Sequence, residues 1–415
     1  MSSRGAVLSI RRGSFEGTAN VGVHRKTSTQ MGAKREKSSV YRCKRLSSRL
    51  ACHYPRRITM KNSKSSRVIA VVSLSVAFAA CTEPDRIAGT KSPTMPALSV
   101  STAAVTAIDI SNGITGGGGR TISSTGIILG RIGTTRGWWT SPSPAFTPID
   151  DNYVQGGNRN ADAGGGDGTA ILSTNGGPPW TSVTLASPAG IAAGKTIAHD
   201  INNLRVLVGK SFGPIVNAIR WDSPSAVPIV LPLPPLQYPA YQVTARSINN
   251  NNVIVGYVLE TLPRNRSRYE ALVWSGGTVS ILPLPQGGTS QLASNINDAG
   301  VISGITEGSH PIRWTPKIGG GYDIAVSSID VGGSNLDTGI DACGRITGGS
   351  DSGAWVWDGV SPAVILPGLA GPGHWGQASD ISESGTAVGS SFVGTSKGSR
   401  VTRATIWTGL PACTP

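Results

Sequence analysis

Cysteine and histidine are scarce in this chain of 415 residues, five of each, and aromatic side chains make up only 6% of it. No Gly-x-Ser-x-Gly segment occurs, which removes the nucleophile elbow of serine hydrolases. Glycine runs such as Gly116–Gly119 lack the Lys-Ser/Thr that completes a phosphate loop, and hairpin turns account for them. The apolar run Val68–Ala80 has 13 residues, too short to span a bilayer core of about 30 Å. Beyond residue 98 helical periodicity is missing too, which argues against a helical domain.

What charge there is lies unevenly. The chain carries 37 Lys+Arg and 23 Asp+Glu, hence +14. Residues 1–59 hold 14 of the basic residues and two acids, Glu16 and Glu36, with many serines and no apolar pattern. Such a segment buries too little surface to fold. It is expected to be a disordered basic leader, either upstream sequence outside the translated chain or an extension without a role in the fold. Lys61, Lys64 and Arg67 add three more. Removing residues 1–80 leaves 37 − 17 = 20 basic and 23 − 2 = 21 acidic residues, a net charge of −1. The basic balance belongs to the leader, so nucleic acid is not an expected partner.

Met60 opens the pattern of an export signal: a basic n-region, the apolar run, then small residues. Phe78-Ala79-Ala80-Cys81 resembles the lipobox of bacterial lipoproteins, with Phe78 where that family usually has Leu. The resemblance implies a signal peptide over 60–80, diacylation of Cys81 and a membrane partner through that lipid. Thr82 after the cysteine is similar to the outer-membrane-sorted members. An ordinary secreted protein, with Cys81 incidental, is the other reading; either way the chain is expected to be exported. Residues 81–98, rich in Pro, Thr, Ser and Lys, are expected to form a flexible tether.

The remainder is organised by a repeat. Its clearest copy runs from Ala245 to Trp274: a short strand ending at Ile248, an Asn-rich turn, the β-branched return Val253-Ile254-Val255 closed by Gly256, and a third strand ending at Trp274. Ser280-Ile281-Leu282 supplies a fourth strand before Pro283. The anchor isoleucines Ile201, Ile248, Ile296, Ile340 and Ile381 lie 47, 48, 44 and 41 residues apart. The tryptophans Trp221, Trp274, Trp314, Trp357 and Trp407 close the third strands. Two worn copies precede these, one at Thr121–Trp139 and one beginning at Ile149 and Asp150. A period of roughly 40–50 residues with four short strands predicts an all-β propeller of about six to seven four-stranded blades over 99–415. No blade can bury its apolar face alone, and the tryptophan is the expected filler between neighbours.

These units resemble the HAF repeats of bacterial extracellular proteins, in which Ile-Asn, a turn, Val-x-Gly and His-Ala-Phe-x-Trp recur. Here the tripeptide is represented by Asn217-Ala218-Ile219, Glu270-Ala271-Leu272 and His310-Pro311-Ile312, and no copy is intact. The resemblance, over roughly 107–410, implies an exported all-β domain and no particular activity. Ser173–Trp180 resembles the Asp-box hairpin of sialidases and other propellers, with Asn175 in place of Asp. That box is a turn device remote from catalysis.

Candidate chemistry is thin. Asn158, Asn160 and Asp162 place oxygens at alternate positions, a spacing that can wrap Ca²⁺, though Ala163 and Thr169 depart from the EF-hand pattern; a flexible loop is the competing reading. Arg246, Arg264, Arg266, Arg268, Tyr269 and Glu270 supply the residue types of a sialidase site, yet mostly within one inter-strand segment expected to be a solvated charged loop. His199, His310 and His374 fall at different phases of the repeat and are not expected to converge on a metal. Cys343 and Cys413 are candidates for a disulfide in an oxidising compartment, or else two free buried thiols. The turn residues Asn249, Asn297, Asp341 and Ser382 recur in every unit, which argues for a backbone role; a ligand contact is expected to break the repeat.

The sequence thus predicts an exported, lipid-anchored cell-surface module, at the outer membrane or beyond it. It is expected to bind or scaffold a glycan or protein ligand, without catalytic residues or cofactor. The alternative is a hydrolase or lyase acting on extracellular polysaccharide. An enzyme would need carboxylates converging within about 5–10 Å in one pocket.

Overall fold

The computed structural model describes residues 44–46, 49–51 and 105–413, apart from 142, 144, 150–153, 175, 193, 214, 265, 332–337, 372 and 395–400. The chain divides into two units, Met1–Thr82 and Glu83–Pro415. In the first, the described residues form a small antiparallel hairpin, Lys44–Leu46 with Arg49–Ala51, inside the stretch expected to be unfolded. The proposed signal peptide, Cys81 and the tether lie outside the described residues.

The second unit is a β-propeller. Among the described residues it has seven four-stranded antiparallel blades, the last two joined into one hydrogen-bonded sheet. Their innermost strands are Gly118–Ile122, Val154–Gly157, Thr196–Ile201, Ala240–Ile248, Gln291–Ile296, Gly339–Ile340 and Gly376–Ile381. Blades 1 to 6 take their four strands consecutively. Blade 7 takes three from the end of the chain and its outermost, Thr106–Asp109, from the beginning of the domain. That strand pairs with Thr402–Thr408, so the two ends of the domain meet in one sheet.

The core is divided accordingly into seven apolar layers, one at each junction between blades. Trp139, Trp221, Trp274, Trp314, Trp357 and Trp407 are buried, as are the five anchor isoleucines. Five of these indoles also donate to a carbonyl just past the outermost strand of the preceding blade. Trp139 reaches Ile110 O (2.6 Å), Trp221 Ala186 O (2.8 Å), Trp274 Pro232 O (2.7 Å), Trp314 Pro283 O (2.9 Å) and Trp407 Pro367 O (2.7 Å). The tryptophan therefore fills the junction and fastens it, satisfying a donor that burial would otherwise leave costly. Blade 6 departs from this: Trp357 bonds its own loop at Ser361 O (3.0 Å), while a second buried indole, Trp355, shares the layer.

Three sequence expectations need correction. The copy anchored at Ile149 is out of register: blade 2 starts at Val154, with Gly157 where other blades carry isoleucine and Asn158 in its turn. Ile171 stands in the tryptophan position there, so the weak apolar signal hid the blade. The charged segment around Arg264–Glu270 is not an open loop. Ile254–Leu262 and Arg266–Ser275 continue as one long hairpin, with Arg268 bridging buried Glu260 (2.6 Å) and Glu270 (2.9 Å). The alternate oxygens at Asn158, Asn160 and Asp162 do not form a cation cradle either. Asn158 Oδ1 accepts the amides of Asn160 and Asp162, Asp162 is paired with Arg205 (3.2 Å) and bonded to Ser173, and Asn160 is exposed.

Candidate functional site: the polar mouth of the channel

Each innermost strand ends in the same sequence of positions, and they divide into repeating and non-repeating ones. The turn position repeats. Asn158, Asn202, Asn249 and Asn297 each accept, through Oδ1, the amide four residues on (2.9, 3.0, 2.9 and 2.9 Å). Each donates, through Nδ2, to the carbonyl at the turn of the next blade: Asn202, Asn249, Asn297 and Asp341 (2.9, 3.0, 3.0 and 2.9 Å). Four amides in succession thus stitch blades 2 to 6 together. Asp341, Ser382 and Ser123 keep the capping bond but have no amide donor. The expected backbone role of this position is what the geometry displays. Three residues past it the chain takes positive φ, on glycine in four blades (Gly126, Gly300, Gly344, Gly385) and on Ala161, Arg205 and Asn252 in the others, where only a short or well-held side chain is tolerated.

Two positions earlier than the isoleucine the repeat breaks. Six innermost strands carry a β-bulge there. The extra residue is Arg120, Gln155, His199, Arg246, Ser294 or Ser379, with Thr338 at the same place in blade 6. All but Ser294 line a single cavity of about 190 Å³ that draws residues from all seven blades. Bulges re-aim side chains, and five of the six bulged residues, Arg120, Gln155, His199, Arg246 and Ser379, line this cavity. The bulge also explains the glycine of Val-x-Gly. On the second strands, Gly130, Gly209, Gly256, Gly304 and Gly389 face the bulged stretch, and a Cβ on any of them would run into an innermost-strand carbonyl.

One residue past the bulge in blades 3 and 7 stand two carboxylates of the cavity lining, Asp200 and Asp380. Asp200 accepts Ser247 Oγ (2.7 Å) and the Ile248 amide (3.0 Å); Asp380 accepts Thr121 Oγ1 (2.9 Å) and the Ile122 amide (2.9 Å). Each ties its blade to the next, 3 to 4 and 7 to 1. Desolvation between the blades pushes the Asp200 carboxyl up to about 6, opposed by those donors and reinforced by the charge of Asp380, whose own carboxyl is raised for the same first reason. Among the other lining residues Arg159 pairs with Glu383 (2.6 Å), and Arg120 donates to Gln155 (3.1 Å).

The sign of the pH effect follows. A carboxyl raised in the folded state holds its proton where the unfolded chain, near 3.8, has lost it. Its favourable contribution is complete at low pH and disappears as pH climbs from about 4 to about 6. The stability difference between Asp200→Asn and the parent, measured by urea unfolding, should therefore shift in favour of the variant across that window and level off above it. A pH-independent difference would contradict the raised carboxyl.

Other sequence candidates are scattered. His199 lies in the mouth with Nδ1 on Ala245 O (2.8 Å), His310 bonds Ile329 O (2.9 Å), and His374 stacks on Phe392 at 5.7 Å. Arg246 is in the mouth, whereas Arg268, Tyr269 and Glu270 are not among its lining residues. Cys343 and Cys413 are joined in a disulfide. The Asp-box-like segment makes the hairpin of Thr169–Thr174 and Gly177–Thr184, with Asn175 outside the described residues. No group of three or more metal-ligating side chains gathers among the described residues.

Among the described residues, seven four-stranded blades around a mouth lined from every one of them define a seven-bladed propeller with a polar axial cavity. No family model matches the chain, and neither does any curated protein sequence. Solved structures similar to it include YCF48 bound to the D1 peptide (12% identity, TM-score 0.42, covering 78% of this chain and 98% of that one). A gluconolactonase from Xanthomonas campestris is similar at 12% identity and TM-score 0.37, covering 73% and 88%. The Dos1 propeller is similar at 11% identity and TM-score 0.40, covering 71% and 78%. At these levels their activities do not transfer to this chain.

Proposed function

We propose that this is an exported, lipid-anchored propeller whose channel mouth binds a polar ligand, a terminal sugar of a glycan or a polar protein loop. The observation that carries the reading is the contrast within each innermost strand. Isoleucine and turn residues recur because the scaffold needs them, while the bulged position varies among Arg, Gln, His and Ser and lines the cavity in five blades. A mouth of polar groups converging from seven blades suits hydroxyl-rich or amide-rich ligands. The disulfide supports export, since such bonds persist in oxidising compartments. The test is a glycan array and pull-down with the purified protein, repeated with Arg246→Ala. Ligand retention should fall at least tenfold; equal retention would move the site elsewhere. Membrane association should likewise be lost in Cys81→Ser, and its persistence would remove the lipid anchor.

A second reading, hydrolysis or lysis of a polysaccharide, is favoured by one observation: two carboxylates with raised proton affinity share the mouth. Against it, both are engaged by neighbouring hydroxyl and amide donors, which suits a clasp between blades. New reducing ends released from a bound glycan, and abolished by Asp200→Asn, would favour catalysis.

A further inference from the structure

The polar side chains of the mouth divide by charge. Every charged one lining it is engaged within the chain. Arg159 pairs with Glu383, Arg120 bonds Gln155, and Asp298 accepts Asn250 Nδ2 (2.7 Å). Asp200 and Asp380 accept the hydroxyl and amide donors of the next blade, and Arg246 has a partner of its own. Among the described lining residues, three side chains take part in no hydrogen bond, and all three are neutral: Asn203, Asn295 and Ser379.

Their places in the repeat explain why they are open. Asn295 stands directly before the isoleucine of blade 5, where Asp200 and Asp380 stand in blades 3 and 7. Those carboxylates grip Ser247 and Thr121 at the same position of the following blade. After blade 5 that position is Gly339, which offers no hydroxyl, so the Asn295 amide remains in the cavity wall. Ser379 is the bulged residue of blade 7. Asn203 follows the stitching Asn202; its side chain stays out of the stitching, and its Oδ1 is buried without a donor. The three come from blades 3, 5 and 7, with at least one blade between each pair, so they approach the mouth from different sides.

Each is an uncharged hydrogen-bonding group, and the two amides can donate and accept at once. At about 190 Å³ the cavity is smaller than the roughly 300–1,000 Å³ of pockets for drug-sized ligands, which limits the occupant to a small part of a larger molecule. A pyranose ring fits this distribution, because its hydroxyls point outward around the rim and each both donates and accepts. We infer that the mouth holds one neutral saccharide residue, its ring hydroxyls bound by Asn295, Ser379 and Asn203. This rests on the mouth being the binding site and narrows its ligand to one class.

The test is a glycan array of neutral, uronate-bearing and amine-bearing saccharides, followed by calorimetric titration of the purified protein with the best-retained neutral one. A neutral saccharide should be retained above both charged classes, with an affinity that added salt leaves unchanged. Asn295→Ala and Asn203→Ala should each weaken it roughly tenfold, the loss of one or two hydrogen bonds, and Ser379→Ala by a smaller factor. Asn160→Ala, at an exposed turn residue outside the lining, should bind like the parent. Thermal unfolding of the three mouth variants should coincide with that of the parent, since none of these side chains is bonded within the chain. Preference for a charged class, or full affinity in Asn295→Ala, would overturn the inference and leave the mouth as the site. A blank array beside a protein captured by the parent and lost with Arg246→Ala would do the same. Retention untouched by Arg246→Ala and by all three mouth variants would instead remove the mouth, and the inference with it.

Discussion

Gly389→Ala should lower the stability of the domain by about 3 kcal/mol, the upper part of the range for forcing a methyl group into a filled interior. Gly389 pairs with Ala378 beside the bulge of blade 7, and a Cβ would run into the Gln377 carbonyl oxygen, with Ala378 Cα at 3.0 Å. Those obstacles are backbone, so relief requires moving the innermost strand, which carries Ser379 and Asp380 into the mouth. The clasp from Asp380 to Thr121 and Ile122 would be strained with it. Gly177→Ala is the control: nothing lies within 4 Å of its added Cβ, and its effect should stay within about 0.5 kcal/mol, as for an ordinary surface change. Urea unfolding followed by tryptophan fluorescence measures both. Equal midpoints for the two variants would show that the bulged strand yields freely.

Reducing the disulfide, or replacing both Cys343 and Cys413 by serine, should cost roughly 4 kcal/mol. The bond closes a loop of 70 residues, and the chain-entropy estimate for a loop of that length is of this size. Locally it holds the tail after blade 7 against the turn of blade 6, whose Arg345 reaches Pro411 O (2.6 Å), while Cys413 donates its amide to Glu383 O (2.6 Å) in the turn of blade 7. Leu410 enters the apolar layer between blades 6 and 7. The covalent link falls in the part of the ring where Asp341 and Ser382 interrupt the asparagine stitching. Thermal unfolding with and without reductant should show the drop, and the double serine variant should match the reduced parent. Coincident curves would mean that the tail's other contacts suffice.

Much of the architecture was legible because the scaffold repeats itself. Isoleucine before the turn, asparagine within it and tryptophan on the third strand recur because most junctions present the same need. Blade 2 escaped because Gly157 and Ile171 occupy the positions where isoleucine and tryptophan give the signal. The site was far less legible, and for the complementary reason: Arg120, Gln155, His199 and Arg246 share a place only through the bulge. A bulge adds one residue without leaving a residue type behind it. The visible trace is indirect, the invariant glycine on the facing strand. Asp200 and Asp380 stood in the repeat as ordinary residues before isoleucine, and only the packed blades reveal their desolvation.

The partnership of Thr106–Asp109 with Thr402–Thr408 has a consequence for the order of events in assembly. Thr106 finds its mate at Thr408, after nearly the whole domain has been threaded past. Earlier blades can collapse against one another as they appear, but the circle stays open until the last strand arrives, and joining such distant segments carries the entropy cost of a very long loop. A nascent chain halted anywhere before residue 402 would leave the first strand waiting, with a bare sheet edge at each side of the gap.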